Sequence, residues 1–197
     1  MSTDAFVELF CIKSAILTKE VRRELSVFAI NDERTDLERY TDTLVDRFLM
    51  QVEPSVRSEA ARMGQFYRMF YTVENDIRQF IDQSFEEFHG DGWWEKYVPL
   101  DIKDSVKKLR QYEENEGIPP RSPRSLDYTT FGELAAIIQA NWEVFSGVFV
   151  NASKNRVIRV LKRLNMARGP IAHSGVVPEE ESVRLKLSIR DWYILLE

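Results

Sequence analysis

The sequence predicts an all-α protein, and three observations lead to that prediction. Apolar side chains recur at alternating spacings of three and four residues along several long stretches, which is the pattern of an amphipathic helix. The 197 residues include only eight glycines and seven prolines. Pro119, Pro120 and Pro123 lie close together, so long proline-free stretches remain on either side.

The N-terminal quarter predicts two amphipathic helices, over about residues 4–28 and about 36–51. Neither helix carries a pattern that indicates catalysis or ligand binding. We interpret residues 1–54 as accessory helices that pack on a bundle or support an interface. Residues 55–197 then form the helical bundle itself.

A third, long helix is predicted from Pro54 to about Phe88, since proline suits the first turn of a helix. Its apolar positions at the helical spacing are Phe66, Phe70, Val73, Ile77 and Phe80. Glu74 and Arg78 lie four residues apart on the other side, where they can form an ion pair.

The middle of the chain predicts a loop, a charged helix, a linker and a core helix. His89–Trp94 is expected to be a loop anchored by Trp93 or Trp94. We reject His89 as a second acid/base site, because no nucleophile or phosphate ligand accompanies it. Residues 101–116 predict a charged helix that ends at Gly117. Residues 118–125 form a proline-stiffened linker made basic by two arginines, and one long helix then carries aromatic residues over 131–149.

The next helix is strongly basic, and Ser153 is its expected N-cap. Val157, Leu161 and Leu164 recur at helical spacing and predict a buried stripe, with basic residues on the exposed side. Those basic residues are Lys154, Arg156, Arg159, Lys162, Arg163 and Arg168. Such a surface either binds the phosphates of RNA or is only a solvated helix face.

The basic helix leads to a Gly-Pro dipeptide and then to a histidine. Arg168 and His173 are five residues apart, which places them roughly 140° apart on an unbroken helix. We expect Gly169 and Pro170 to break the helix and aim both side chains at one spot. Arginine can stabilise charge on phosphorus and histidine can transfer a proton, so the pair can cleave RNA without a metal ion. A helix-capping arginine beside a structural histidine is the competing interpretation.

The last segment fits either a strand or a helix. Val183, Leu185, Leu187 and Ile189 alternate like a strand. Pro178 followed by three glutamates is typical of a helix start and favours a C-terminal helix.

Several of these segments together resemble one known domain family. Arg168–His173 matches the R-x4-6-H motif of HEPN domains, which are compact helical bundles. Further segments resemble a HEPN subfamily seen in bacterial defence and RNA-processing proteins, over roughly residues 60–197. In the order of that family they are Glu74–Arg78, Trp94–Pro99, Leu126–Phe131 with Glu133 and Leu134, Trp142 with Phe145, and Ile171–Ser174.

The resemblance implies a metal-independent endoribonuclease that acts as a homodimer, with Arg168 and His173 of both subunits lining one cleft. It assigns the phosphate to Arg168 and the proton transfer to His173, and Glu74 and Arg78 become candidates to position that site or the dimer partner. Antiphage defence or toxin-like RNA cutting is the implied role, with an antitoxin or larger defence complex as a further partner. One position departs from the family: active members usually have a polar residue, often Asn, where this chain has Gly169. The alternative is therefore a non-catalytic module that binds RNA or a protein.

Composition excludes several other classes of site and partner. One cysteine, Cys11, allows no internal disulfide and favours a reducing compartment. With only two histidines, no zinc-ligand cluster of usual spacing exists, and no cofactor is expected. No apolar run approaches the roughly 18 residues of a membrane span, and no signal-peptide pattern is present, so the cytoplasm is the expected compartment. The net charge of −5 opposes indiscriminate nucleic-acid binding, although the basic helix can still form a local positive surface.

Overall fold

The computed structural model describes residues 35–173 and 175–197, and it confirms the all-α class. Within those residues it has eight α-helices, one 3-10 helix and no strand. The chain divides into two compact units, residues 1–53 and 54–197, which we describe separately. In the first unit the described helix is α1, Asp36–Leu49, close to the predicted 36–51. The helix predicted over 4–28, with Cys11, lies outside the described residues.

The second unit contains seven α-helices. In chain order they are α2 Pro54–His89, α3 Trp93–Tyr97, α4 Leu100–Asn115, a 3-10 helix Ser125–Tyr128, α5 Phe131–Ala140, α6 Trp142–Phe145, α7 Lys154–Ala172 and α8 Glu179–Leu195. Helix α7 is central to this unit, since it packs against α8, α5 and α2. In the part of the chain that the structure describes, no helix is long and apolar enough to cross a membrane.

The core follows the predicted stripe of α2. Phe66, Phe70, Val73 and Ile77 are all buried. Phe80 lies at the edge of this stripe and joins an aromatic cluster with side chains from α6, the segment after it, and α8. Its ring centroid lies 5.7 Å from that of Phe145, 5.6 Å from that of Phe149 and 5.9 Å from that of Trp192. Aromatic rings at these separations stabilise one another beyond the effect of their burial, so the cluster joins α2 to α6, to the segment after α6 and to α8.

The loop after α2 is shorter than predicted. Gly90 and Gly92 have φ values of 71° and 78°, the left-handed conformation that glycine adopts without strain. Helix α3 then begins at Trp93, whose buried ring stacks on Phe85 with centroids 4.3 Å apart. The imidazole of His89 stacks on the Tyr97 ring at 3.7 Å. His89 therefore has a packing role, in agreement with its rejection as an acid/base residue.

Helix α4 and the linker behind it are held by one buried carboxylate. The helix ends at Asn115 and Gly117 follows with φ 66°, as the predicted stop requires. Glu113 accepts hydrogen bonds from the Tyr128 hydroxyl at 2.7 Å and from Arg121 Nε at 2.6 Å. Because the charge of Arg121 is paired in this way, the linker is an anchored surface connection in this structure.

The prediction of a single helix over 131–149 is wrong, because α5 ends at Ala140 and a separate helix, α6, begins at Trp142. Asn141 between them is buried, and its side-chain amide donates hydrogen bonds to the carbonyls of Tyr97 at 3.1 Å and Ile137 at 3.0 Å. Burying that amide requires these acceptors, and Tyr97 comes from a distant part of the chain. A tertiary contact therefore breaks a pattern that is locally helical.

The C-terminal segment is a helix, as the acidic start predicted. Leu185 and Trp192 are buried and Ile189 packs at the edge of the core, which is the helical alternative of the two apolar patterns. Val183 and Leu187, which belong to the strand pattern alone, are exposed.

Candidate functional site

Helix α7 begins and packs as the sequence predicted. The Ser153 hydroxyl accepts a hydrogen bond from the Arg156 backbone N–H at 3.4 Å, which caps the first turn. Val157, Leu161 and Leu164 are fully buried. The buried stripe fixes which side of α7 faces the core and leaves its other sides available for charged residues.

The basic residues of α7 lie on two sides of the helix and do not form one continuous groove. Lys154, Arg159 and Lys162 line a shallow depression of about 300 Å³ beside Gln139 of α5. Arg163 lies on the side of α8, where its Nη1 is 3.9 Å from Asp191 Oδ2. Arg156 is exposed. Lys154, Arg159 and Lys162 therefore form one basic surface, along which a phosphate backbone can lie.

The predicted helix break at Gly169 and Pro170 is wrong. Helix α7 continues through both residues to Ala172. The backbone N–H of His173 donates to the Gly169 carbonyl at 3.2 Å, and that of Gly175 donates to the Pro170 carbonyl at 2.7 Å. Proline removes one helical hydrogen bond, but Ala167 and Ile171 on either side of it pack against the core and hold the last turn.

The continuous helix separates the two predicted catalytic side chains. Arg168 and His173 keep the angular separation of roughly 140° that an unbroken helix imposes. Within one chain, the described structure does not aim both side chains at one spot. This is the main correction to the geometry expected from the sequence.

Arg168 lies on the inward side of α7. It follows Leu164 by four residues and Leu161 by seven, so it extends the buried stripe to the end of the helix. Its side chain is 40% exposed, and its Nε lies 3.8 Å from Glu74 Oε2 of α2. The sequence contained this signal, because the spacing of the apolar stripe continues to residue 168, but the charge pattern suggested that Arg168 belongs to the exposed basic side.

Glu74 is held in place by a second arginine. Arg78 Nη2 donates to Glu74 Oε1 at 2.6 Å and to the Thr129 carbonyl at 2.8 Å, and Arg78 Nη1 donates to Asn75 Oδ1 at 3.1 Å. The side chains of Glu74 and Arg78 are only 12% and 11% exposed. The predicted ion pair therefore exists, and it also places a fixed carboxylate beside Arg168.

His173 lies just beyond the last turn of α7 and is exposed. Its imidazole has no hydrogen bond or ion pair with any residue of 35–173 or 175–197. It follows Met166 by seven residues and Pro170 by three, so it continues the side of α7 that faces α8. A groove of about 720 Å³, lined by Met166, Pro170 and Leu187 among others, runs along that side. The groove was not predicted from the sequence. Its signal there is an apolar residue, Met166, within a basic helix, and Met166 is 78% exposed in the structure.

Residues 68–196 match the family model described as Swt1-like HEPN. The chain belongs to the Swt1-like HEPN family. The match contains Glu74, Arg78, Arg168 and His173, and it confirms the HEPN resemblance. No curated protein and no solved structure matches the chain.

HEPN domains are typically related to ribonucleases. Among the described residues there is no group of three or more His, Cys, Asp or Glu side chains placed to hold a metal ion. The chemical groups that the motif brings to this chain are therefore one guanidinium with a fixed carboxylate partner and one exposed imidazole.

Proposed function

We propose that this Swt1-like HEPN protein is a metal-independent endoribonuclease. The observation that carries the proposal is Arg168, a half-buried guanidinium at the end of the basic helix whose Nε lies 3.8 Å from Oε2 of the fixed Glu74 carboxylate. Arg168 stabilises the charge that develops on phosphorus while the ribose 2′-hydroxyl attacks it. The bond from O2′ to phosphorus forms as the bond from phosphorus to O5′ breaks. His173 takes the proton of the 2′-hydroxyl or gives one to the departing 5′-oxygen, and water exchanges the other proton. The products have 2′,3′-cyclic phosphate and 5′-hydroxyl ends.

The active form in this proposal is a homodimer. Because Arg168 and His173 point to different sides of α7, a two-fold axis beside this helix end brings Arg168 of one protomer next to His173 of the other. The apolar groove with exposed Met166 supports such a contact, because it lies on the side of α7 where His173 is found. The depression lined by Lys154, Arg159 and Lys162 then binds RNA phosphates away from the scissile bond.

The decisive experiment is incubation of the purified protein with mixed cellular RNA in EDTA, beside Arg168→Ala and His173→Ala. We expect cleavage by the parent protein and a loss of about 10²–10⁴-fold in His173→Ala, since an acid/base group contributes that much to rate. Lys108→Ala, an exposed cation on α4, is the matched control and should cleave normally. Undiminished cleavage by His173→Ala would remove the mechanism.

A second candidate function is a non-catalytic module that binds RNA or a protein. Two observations favour it: Gly169 has no side-chain amide such as an Asn would place beside Arg168, and one chain does not bring Arg168 and His173 together. In that case the parent protein binds RNA with strong salt dependence and cuts none, and Arg168→Ala binds less tightly. Gly169→Asn separates the two functions further, because only a weakened nuclease gains activity from the restored amide.

We place the activity in antiphage defence or toxin-like RNA cutting in the cytoplasm, with an antitoxin or a larger complex that restrains it. A cytotoxic nuclease should arrest the growth of bacteria that express it, and His173→Ala should not. Equal arrest by both proteins would contradict this role, because the arrest would then not depend on RNA cleavage.

A further inference from the structure

Two tyrosines project from α2 without contributing to the core. Tyr67 is 63% exposed and Tyr71 is 61% exposed. Their ring centroids are 6.3 Å apart, with an angle of 32° between the ring planes. Large aromatic rings are costly to leave in water, so a neighbouring exposed pair indicates a surface with a partner.

The tyrosines lie on the same stripe of α2 as the Glu74–Arg78 pair beside Arg168. Tyr67, Tyr71, Glu74 and Arg78 follow one another at spacings of four, three and four residues, which places them on one side of the helix. The stripe is also suited to an anion. The single negative charge of Glu74 is shared between two guanidiniums, those of Arg78 and Arg168, so these three side chains together carry one net positive charge.

Two contacts show that α2 and α7 run in opposite directions. Glu74 lies beside Arg168, and Arg62, three turns earlier in α2, donates from Nη2 to the carbonyl of Val177 at 2.9 Å. The part of α2 between these contacts therefore lies level with the end of α7 and the segment that follows it. That part of α2 carries both tyrosines, so they extend the surface around Arg168 towards the end of the bundle.

We propose that Tyr67 and Tyr71 form a stacking platform for unpaired bases of an RNA strand whose phosphate binds Arg168. This inference rests on the proposed function and names its substrate class as single-stranded RNA. Aromatic rings stack on any base, because every base has a π-face, but a base within a duplex is already stacked and paired. The platform therefore selects for unpaired RNA without reading its sequence.

The test measures binding in the His173→Ala background, where the RNA stays intact. The probes are a fluorescent 12-nucleotide RNA of mixed sequence and the same strand annealed to its complement, and anisotropy gives Kd. Tyr67→Ala and Tyr71→Ala should each weaken single-strand binding by about 5- to 150-fold, the range measured for loss of one base–aromatic stack. The duplex affinity should stay unchanged, and the corresponding Tyr→Phe variants should bind like the parent. Equal losses on both probes, or no loss, would overturn the platform.

Two controls identify the cause of any loss. Tyr112→Ala removes a comparably exposed tyrosine, 57% exposed on α4, and should leave both affinities unchanged. Sedimentation reports whether Tyr67→Ala or Tyr71→Ala changes the oligomeric state. A shift to monomer would assign the rings to a contact with a second copy of this chain and overturn the proposal.

Failure of the platform can be distinguished from failure of the nuclease. If the protein with His173 intact cleaves RNA, and the two alanine variants cleave it with unchanged kcat/KM, only the platform is wrong. If the protein neither cleaves nor binds single-stranded RNA, the proposed function falls and the platform falls with it.

Discussion

A single carboxylate, that of Glu74, serves two arginines with different tasks. Arg78 joins it to the segment before α5, while Arg168 lies at its other oxygen. Glu74→Gln keeps the shape and removes the charge. We expect a loss of about 1–3 kcal/mol in the free energy of unfolding, since both partners of the Glu74–Arg78 pair are almost buried and the charged hydrogen bond is strong. Urea denaturation measures this loss.

The same substitution should affect catalysis through position. Arg168 keeps its charge but loses its fixed partner, so kcat for RNA cleavage should fall roughly 10- to 100-fold. RNA affinity should stay the same or rise, because a negative charge has left the surface. Glu86→Gln, an exposed position on the same helix, is the control. A fall in RNA affinity at unchanged kcat would show that Glu74 does not position Arg168 for the reaction.

The buried side chain of Glu113 predicts a pH dependence of stability. The Tyr128 hydroxyl and the Arg121 guanidinium donate hydrogen bonds to this carboxylate and hold its pKa below its usual range. Since the folded-state pKa is the lower one, the charged form stabilises the fold above the ordinary glutamate value of about 4.3, and this contribution disappears as the pH falls through the lowered pKa.

Glu113→Gln should therefore lower Tm at pH 7, and the difference from the parent protein should narrow steadily below about pH 4.3. Thermal unfolding across this range, with exposed Glu114→Gln for comparison, measures it. A constant difference at all pH values would mean that packing, and not charge, explains the loss.

At the level of single residues, the types of the candidate site residues could be predicted from the sequence, but the directions of their side chains could not. Charge grouped Arg168 with the exposed basic residues, whereas its distance from Leu161 and Leu164 places it on the buried stripe. The carboxylate beside Arg168 on this inward side of α7 is that of Glu74, which lies almost a hundred residues away in the chain, so local patterns do not reveal it. The Glu74–Arg78 pair itself was predictable, because its two members are neighbours on one helix.

The secondary-structure elements were predictable wherever the local pattern and the tertiary contacts agree. Helices α2, α4 and α8 follow their sequence signals closely. Two predictions about helix breaks were wrong, in opposite directions. The apolar periodicity predicted one helix through Asn141, but the buried side-chain amide of Asn141 interrupts it. Gly169 and Pro170 predicted the end of α7, but the packing of Ile171 against the core continues that helix. In both cases contacts with other elements outweigh the local preference of the backbone.

The continuity of α7 can be tested at Gly169. A Cβ added there meets no atom within 4 Å. Because alanine favours the helix over glycine, Gly169→Ala should raise the free energy of unfolding by about 0.5–1 kcal/mol. Gly117→Ala should lower it by about 1–2 kcal/mol, since that residue has a left-handed backbone. Urea denaturation compares the two variants. Destabilisation by Gly169→Ala would mean that α7 does break at this residue.

For the whole molecule, the family could be predicted from motifs spread along the second unit, whereas the homodimer that the resemblance implies stays a prediction. Helical bundles with similar cores can have very different surfaces, so a surface that a second copy would cover leaves no periodic signal in the sequence. Helix α7 runs unbroken to Ala172, and about 100° per residue then puts Arg168 and His173 roughly 140° apart, which is why the proposed mechanism needs a second chain. A site completed by two chains and a site completed by one chain give different results when inactive variants are mixed.

Mixing Arg168→Ala with His173→Ala tests this at the scale of the dimer. If each site takes its arginine from one protomer and its histidine from the other, a mixed dimer has one intact site and one site that lacks both residues. Random exchange makes half of the dimers mixed, so the mixture should recover about a quarter of the parent activity. Single-turnover RNA cleavage measures the recovery, and differently tagged subunits verify the exchange. Mixed dimers that stay inactive would place Arg168 and His173 of one chain in the same site, which requires the end of α7 to rearrange on binding RNA.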